Sequence, residues 1–376
     1  MVFNWLPNQN PCMTRDAAHL LPSTEPVTLI DPDGHPVPHV GLDMPEPQAL
    51  VHAYAALIAA RRFNDQANAL VRQGRLAVYP SSHGQEACQV ACVQVLGDGD
   101  WLFPTYRDSA AIVARGVDPV QTLTLLRGDW HSGYDPLATR VAPQATPLAT
   151  HLLHAVGVAH AARLRGEPTV VMALCGDGAT SEGDFHEALN FAAVFRTPVV
   201  FFIQNNEYAI SVPLSRQTAA PSLAHKGIGY GVPGHRVDGN DVAALLRVLG
   251  TAVERARAGE GPQLVEAHTY RVQAHTNADD PGRYRSDDEV TPWLSRDPIA
   301  RLATYLHDRG LIDEAERAVV AARAEDLAER MRAGLNAETV ADYRDLFTHV
   351  YAEPTPQLLE QQAMVADELS REEVPS

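Results

Sequence analysis

The chain has 376 residues, 45% hydrophobic and 20% charged, with a formal net charge of −17. Such a length can bury a large core, and this balance describes a globular enzyme rather than a disordered chain or a nucleic-acid-binding surface, though a local basic patch remains open. No stretch reaches the roughly 20 apolar residues that span a bilayer, and Met1 to Asp16 lacks a basic region followed by an apolar core, so a cytoplasmic location is expected.

Residues 1–46 are rich in proline, carry Asp33-Gly34 and show little periodicity, which predicts an extended arm lying on a partner or on the domain. A helix is expected from about Glu46 to Gln73, where Leu50, Tyr54, Leu57, Ile58 and Phe63 recur at helical spacing. Gly84-Gln85-Glu86-Ala87 opens a second helix ending near Leu96, and Trp101 to Asp135 reads as short helices and loops. Thr150 to Leu164 is a helix rich in Ala and Gly, suited to close packing. Strands are expected at Val170–Cys175, Val199–Gln204, Gly234–Val237 and Gln263–Tyr270, with a helix from Asp241 to Ala258 between the last two. Residues 277–292 are polar and contain Asp279-Asp280-Pro281-Gly282, which predicts a loop; Asp297 onward is helical, charged and mostly surface. The four cysteines, Cys12, Cys88, Cys92 and Cys175, include no Cys-x-x-Cys pair and read as buried free thiols.

Gly176-Asp177-Gly178 closes the apolar run Val170 to Cys175, and Asn205-Asn206 closes the run Val199 to Ile203. Between them, Ala179 to Phe195 reads as a turn and a helix. Two buried strands joined by a crossover helix leave their carboxyl ends on one sheet edge, where open α/β sheets bind ligands. Asp177 and Asn206 are therefore expected to stand together despite 29 residues of separation. A carboxylate and an amide oxygen suit a hard cation such as Mg²⁺, which leaves positions for phosphate oxygens, and the glycines let backbone approach those phosphates closely. A lone Gly-Asp-Gly is more often a turn; strand, turn, helix, strand and Asn-Asn in order are specific.

This constellation resembles the thiamine-diphosphate motif, and the order of the other motifs resembles the alpha subunits of the heterotetrameric 2-oxo acid dehydrogenase first components, those of the branched-chain and pyruvate complexes. The landmarks are Gly84-Gln85-Glu86-Ala87, Phe103 to Asp108, Thr146-Pro147-Leu148-Ala149-Thr150, Gly176 to Asp184, Gln204 to Ser211, Val237 to Asp241 and Tyr270 to Asp280. The resemblance covers nearly the whole chain. It implies a parallel-sheet α/β fold with helices on both faces, an arm at 1–46, a cofactor-binding domain at 47–296 and a helical segment at 297–376. Tyr106 and Arg107 match the family's diphosphate contact, where a guanidinium fork suits two phosphate oxygens. Thr146 and Leu148 match the residues at the pyrimidine end, Leu148 through its backbone. Asp177, Asn206 and the carbonyl of Tyr208 match the metal ligands, and Gly176, Gly178 and Ala179 belong to the diphosphate turn. His275 matches the loop histidine over the thiazolium, suited to proton transfer or orientation near neutral pH.

The sequence departs from the family in several places. Gln273 and Ala274 stand where relatives often carry a second histidine, and some relatives have Arg at the place of Gln204. Ala145 and His151 replace residues that hold a structural potassium ion, so potassium is doubtful. The run Asp129 to Arg140 differs from the segment bordering the substrate channel in relatives. Thr276 stands where mammalian relatives carry a regulatory serine; a polar loop residue is the simpler reading. The resemblance implies thiamine-diphosphate- and Mg²⁺-dependent oxidative decarboxylation of branched-chain 2-oxo acids, with transfer of the acyl group to a lipoyl arm of an acyltransferase core. Pyruvate is the alternative substrate. It also implies a beta subunit, an α2β2 heterotetramer, and an activating glutamate on that partner; Glu86 is the candidate for that role only if the chain acts alone. A self-contained thiamine-diphosphate lyase conflicts with the length, and an inactive cofactor-holding scaffold conflicts with the intact Asp177, Asn206 and His275.

Overall fold

A computed structural model of the chain describes residues 17–129, 131–337 and 342–372. The described residues fall into two compact units, one up to Arg332 and one from Ala333 onward. In chain order the first runs α1 (Pro47–Arg72), α2 (Glu86–Gln94), β1 (Trp101–Phe103), α3 (Ser109–Ala114), α4 (Pro119–Arg127), α5 (Pro136–Thr139), α6 (Thr150–Arg165), β2 (Val171–Gly176), α7 (Gly183–Phe195), β3 (Val199–Asn205), β4 (Tyr208–Ala209), β5 (Val212–Pro213), β6 (Gly234–Asp238), α8 (Val242–Arg257), β7 (Gln263–His268), α9 (Asp287–Leu294) and α10 (Pro298–Asp308). Helix α11 (Glu314–Asn336) begins in the first unit and ends in the second, which also holds α12 (Asp345–Thr348) and α13 (Pro356–Glu372). No helix among the described residues is long and apolar enough to cross a membrane.

The main sheet is parallel, in the order β1-β2-β3-β7-β6. Its central strands are buried on both faces, so they read as continuous apolar runs. Side chains nevertheless alternate. Val171, Ala173 and Cys175 pair in register with Val199, Phe201 and Ile203, and this face packs on Ala155 and Ala159 of α6 and Phe185, Leu189 and Ala192 of α7. Small residues on α6 let the helix lie close to the sheet. The opposite face is covered by α8, which packs on α2. Helices thus lie on both faces, as expected of a parallel sheet.

The described part of the N-terminal arm lies on the domain. Val27 pairs in parallel with Val237 of β6, which covers an edge strand that would otherwise expose unpaired amides. Next along, the Leu29 and Ile30 amides donate to Asp241 Oδ2 at 2.6 and 2.8 Å. The other oxygen of Asp241 caps α8 through the Ala243 and Ala244 amides. Arg301 of α10 donates to the Ile30 carbonyl and to Asp238 Oδ2, 2.9 Å away. One buried carboxylate therefore ties arm, helix and sheet edge together.

Two elements differ from the sequence reading. Trp101–Phe103, expected among helices and loops, is a strand pairing with Val171–Ala173; three residues are too few to show a period. The polar stretch 277–292, expected to be a loop, contains the start of α9, nucleated by a capping box in which Ser286 and Glu289 each bond the other's backbone; Pro292 obscured it. The helices after Asp297 are mostly surface, as expected, with Leu302, Tyr305 and Leu306 of α10 buried. Cys88, Cys92 and Cys175 are buried free thiols, while Cys12 lies outside the described residues.

Candidate active site

The parallel strands bring their carboxyl ends to one edge, and the loops leaving them surround a cleft of about 510 Å³. Beyond β1 come Tyr106 and Arg107; beyond β2, Gly176 to Ala179; beyond β3, Asn206 and Tyr208; and beyond β7, His275 and Thr276. Thr146 and Leu148 close the far side, just before α6. All of these residues line the cleft. Ala149, at φ +64°, turns the chain between Leu148 and α6, a conformation that costs a non-glycine residue and is stored at such sites.

Asp177 and Asn206 meet as the strand register requires, since Gly176 of β2 lies opposite Gln204 of β3. Asn206 donates through Nδ2 to Gln85 Oε1 at 2.9 Å. Its Oδ1 is thereby turned to face Asp177 Oδ1 and the Tyr208 carbonyl oxygen, each 3.2 Å away. Glu207 and Ile210, at φ +71° and +57°, bend the chain on either side of Tyr208 and Ala209. Three acceptor oxygens facing one another with no hydrogen between them repel, and a hard cation among them turns that repulsion into coordination. A half-turn of the Asn206 amide would also relieve it, by donating to both oxygens, but would set its oxygen against Gln85 Oε1. This donor set fits Mg²⁺.

Asp177 is buried and its pKa is raised by that burial, against a 2.6 Å hydrogen bond from Gln217 Nε2 that favours the ionised form. The turn that follows begins with Gly178 and Ala179, where first-turn amides have no intrahelical acceptor and suit a phosphate. A Cβ on Gly178 would sit 2.7 Å from the Ala209 Cβ, whereas one on Gly176 would meet only open space. The first position needs glycine for packing, and a side chain at the second would project beside the cleft.

His275 sits between two guanidiniums. Its Nδ1 lies 3.0 Å from Arg107 Nη2 and 3.3 Å from Arg271 Nη1, so Nδ1 accepts and the ring proton resides on Nε2. Burial, then the charges of Arg107 and Arg271, push its pKa down to about 4, with Asp279 opposing. The backbone is held as well: His275 N–H donates to Asp279 Oδ2 at 2.7 Å, and its carbonyl accepts from Arg107. Tyr106 packs edge-on to the imidazole at 6.0 Å between centroids. Two arginines, one neutral imidazole and turn amides without an intrahelical acceptor make this end of an acidic protein suited to an anion.

The structure adds residues to which the sequence reading gave no role. Arg271, fully buried, donates to the Tyr208 and Ile210 carbonyls at 3.2 and 2.6 Å and to the Tyr284 hydroxyl. It braces the loop that presents the Tyr208 oxygen; its place directly after β7 was the available signal. Gln85 orients Asn206, from within the Gly84-Gln85-Glu86-Ala87 motif. Gln204 spends its amide on Asp108 and Gln85. His151 Nε2 bonds the Leu174 carbonyl at 2.6 Å, and its buried Nδ1 has no partner among the described residues. Thr276 Oγ1 accepts from the Ala278 amide at 3.4 Å, in keeping with a loop-stabilising residue.

Glu86 does not line the cleft. One carboxylate oxygen accepts from Arg61 Nε at 2.5 Å and the other from the Gly84 amide at 2.7 Å. Both oxygens serve the fold, which removes the candidate activating carboxylate within this chain.

A cleft at the carboxyl edge of a parallel sheet, with cation ligands on one side and anion-binding groups on the other, defines a cofactor-dependent α/β enzyme. The particular family follows from comparison: the dehydrogenase E1 component family matches residues 55–333. The chain belongs to that family, and with it to the thiamine-diphosphate-dependent oxidoreductases. It is 49% identical over 349 residues to the 3-methyl-2-oxobutanoate dehydrogenase subunit alpha of Mycobacterium tuberculosis, covering 92% of this chain and 95% of that protein. It is 38% identical over 314 residues to the pyruvate dehydrogenase E1 component subunit alpha of Staphylococcus aureus, covering 82% and 85%.

Proposed function

We propose that this chain is the alpha subunit of an E1 component that oxidatively decarboxylates branched-chain 2-oxo acids such as 3-methyl-2-oxobutanoate and passes the acyl group to a lipoyl arm. The observation that carries the substrate class is the higher identity, over more of the chain, to the 3-methyl-2-oxobutanoate enzyme than to the pyruvate enzyme. Thiamine diphosphate supplies the electron sink for decarboxylation. In this reading Asp177, Asn206 and the Tyr208 carbonyl hold Mg²⁺, supported by their converging oxygens. Arg107, Tyr106 and the Gly178 and Ala179 amides hold the diphosphate, and Thr146 and Leu148 border the pyrimidine end. His275 moves or holds a proton at Nε2, being neutral and fixed in tautomer by its arginine neighbours.

A beta subunit completes the site and gives an α2β2 assembly, joined by an acyltransferase core. Support comes from the alpha-subunit names of the relatives and from the engagement of Glu86 in the fold. Purified alone, the chain is expected to be inactive. Assembled with its beta chain, it should decarboxylate 3-methyl-2-oxobutanoate with a higher kcat/KM than pyruvate, and acylate lipoamide. A preference for pyruvate would reassign the substrate; thiamine-dependent decarboxylation by the isolated chain would reject the shared site.

A further inference from the structure

The Asn206 amide is the last member of a buried chain of side-chain hydrogen bonds that begins at Asp108. Four donors converge on this carboxylate: the Thr105 amide and hydroxyl on Oδ2, each at 2.7 Å, and Gln89 and Gln204 on Oδ1, at 3.0 and 2.7 Å. Gln204 therefore presents Nε2 to Asp108 and its oxygen to the other side. That oxygen accepts from Gln85 Nε2 at 3.0 Å, which leaves Gln85 Oε1 to accept from Asn206 Nδ2 at 2.9 Å. Asp108, Gln204, Gln85 and Asn206 are all buried.

A carboxylate has only acceptors to offer, whereas an amide has one accepting and one donating end. Every amide in the chain consequently donates toward Asp108 and accepts from the side away from it. Inverting either glutamine would set oxygen against oxygen and nitrogen against nitrogen at its junctions. Inverting Asn206 would gain donation to Asp177 and the Tyr208 carbonyl, but would set its oxygen against Gln85 Oε1 and its NH₂ against the Tyr208 amide that now donates to Oδ1 at 3.3 Å. The polarity fixed at Asp108 thus passes through two glutamines to Asn206, and its oxygen faces Asp177 and the Tyr208 carbonyl even though all three are acceptors.

We infer that Gln85 is a positioning residue for the cation site: with Gln204 and Asp108, it holds the Asn206 amide so that its oxygen, and not its NH₂, faces the metal. This rests on the proposed Mg²⁺–thiamine diphosphate reading and extends it to residues that do not touch the metal. Conversely, Gln85→Met keeps the side chain's approximate volume and removes the acceptor. The Asn206 amide is then free to turn and donate to Asp177 and Tyr208, which closes the cation site without removing a ligand.

A double-mutant cycle separates this from a loss of packing. Asn206→Asp offers an oxygen to the metal in either orientation, so its affinity should not depend on Gln85. Mn²⁺ binding would be measured by electron paramagnetic resonance, with thiamine diphosphate present, on the full chain assembled with its beta subunit. We expect Gln85→Met to weaken Mn²⁺ binding about 10–100-fold, the range for residues that orient metal ligands. In the Asn206→Asp background the same change should cost nothing or improve binding, because it removes an oxygen–oxygen contact. Should Gln85→Met fail to fold, Gln204→Met cuts the chain one amide earlier and is expected to behave the same way. Unchanged Mn²⁺ binding in the folded single variant, or equal losses in both backgrounds, would overturn the inference while leaving the cofactor reading intact. A wild-type assembly that binds no Mn²⁺ would overturn both.

Discussion

Replacing Asp177 with asparagine should stabilise the cofactor-free protein while removing its cation site. Asp177 is 1% exposed, and its pKa is raised by burial. A carboxyl group whose folded pKa lies above its unfolded value costs stability progressively as pH rises from the unfolded pKa through the folded one, and above that the cost is fully present. The neutral amide of Asp177→Asn escapes it. Its NH₂ can also replace Oδ1 in the position 3.2 Å from Asn206 Oδ1, while its carbonyl oxygen still accepts from Gln217. One or two new buried hydrogen bonds contribute about 1–3 kcal/mol, or roughly 2–6 °C in melting temperature for a unit of this size. Scanning calorimetry at neutral pH, with and without Mg²⁺ and thiamine diphosphate, reads both effects. The variant should melt higher than wild type without ligands and show no further rise when they are added. A lower melting temperature without ligands, or a wild-type response to Mg²⁺, would refute the reasoning.

Three further outcomes are expected. His275→Ala should lower turnover of the assembled enzyme about 10²–10⁴-fold with a smaller effect on cofactor affinity, measured by steady-state kinetics and calorimetry; near-normal lipoyl acylation would reduce His275 to a loop residue. Because the His275 pKa is pushed down to about 4 in the fold and is near 6.5 unfolded, the unfolded state binds the extra proton between those values, so stability should rise with pH from 4 to 6.5. Denaturant titrations of His275→Gln should lack that part of the slope. Glu86→Gln should destabilise the chain by about 1.5–3 kcal/mol, since it takes the charge out of the Glu86–Arg61 bond while Asp297 still holds Arg61 at 2.8 Å, yet preserve turnover per folded molecule in the assembly; selective loss of turnover with normal stability would return Glu86 to the chemistry.

The sequence alone determined which residues meet. Apolar runs ending in Gly176-Asp177-Gly178 and Asn205-Asn206, with a helix between, leave only a parallel crossover, and the crossover puts both ends on one edge. Helix α1, the helix before β2 and the strand order's consequence for the edge were legible because their periods extend over many residues. Elements as short as Trp101–Phe103 were not, because a pairing partner, here Val171–Ala173, makes the strand. Nor could the chain decide how side chains spend their hydrogen bonds. Nothing in Gly84-Gln85-Glu86-Ala87 says that Glu86 is consumed by Arg61 and Gly84 while Gln85, one residue earlier, reaches Asn206. Likewise the family resemblance picks out His275 but not its tautomer or charge, which Arg107 and Arg271, distant and near in sequence, set by closing on its Nδ1. Local pattern fixes backbone and edge; the directions of amides, the tautomer of a ring and the charge of a buried acid depend on neighbours that only the folded sheet assembles.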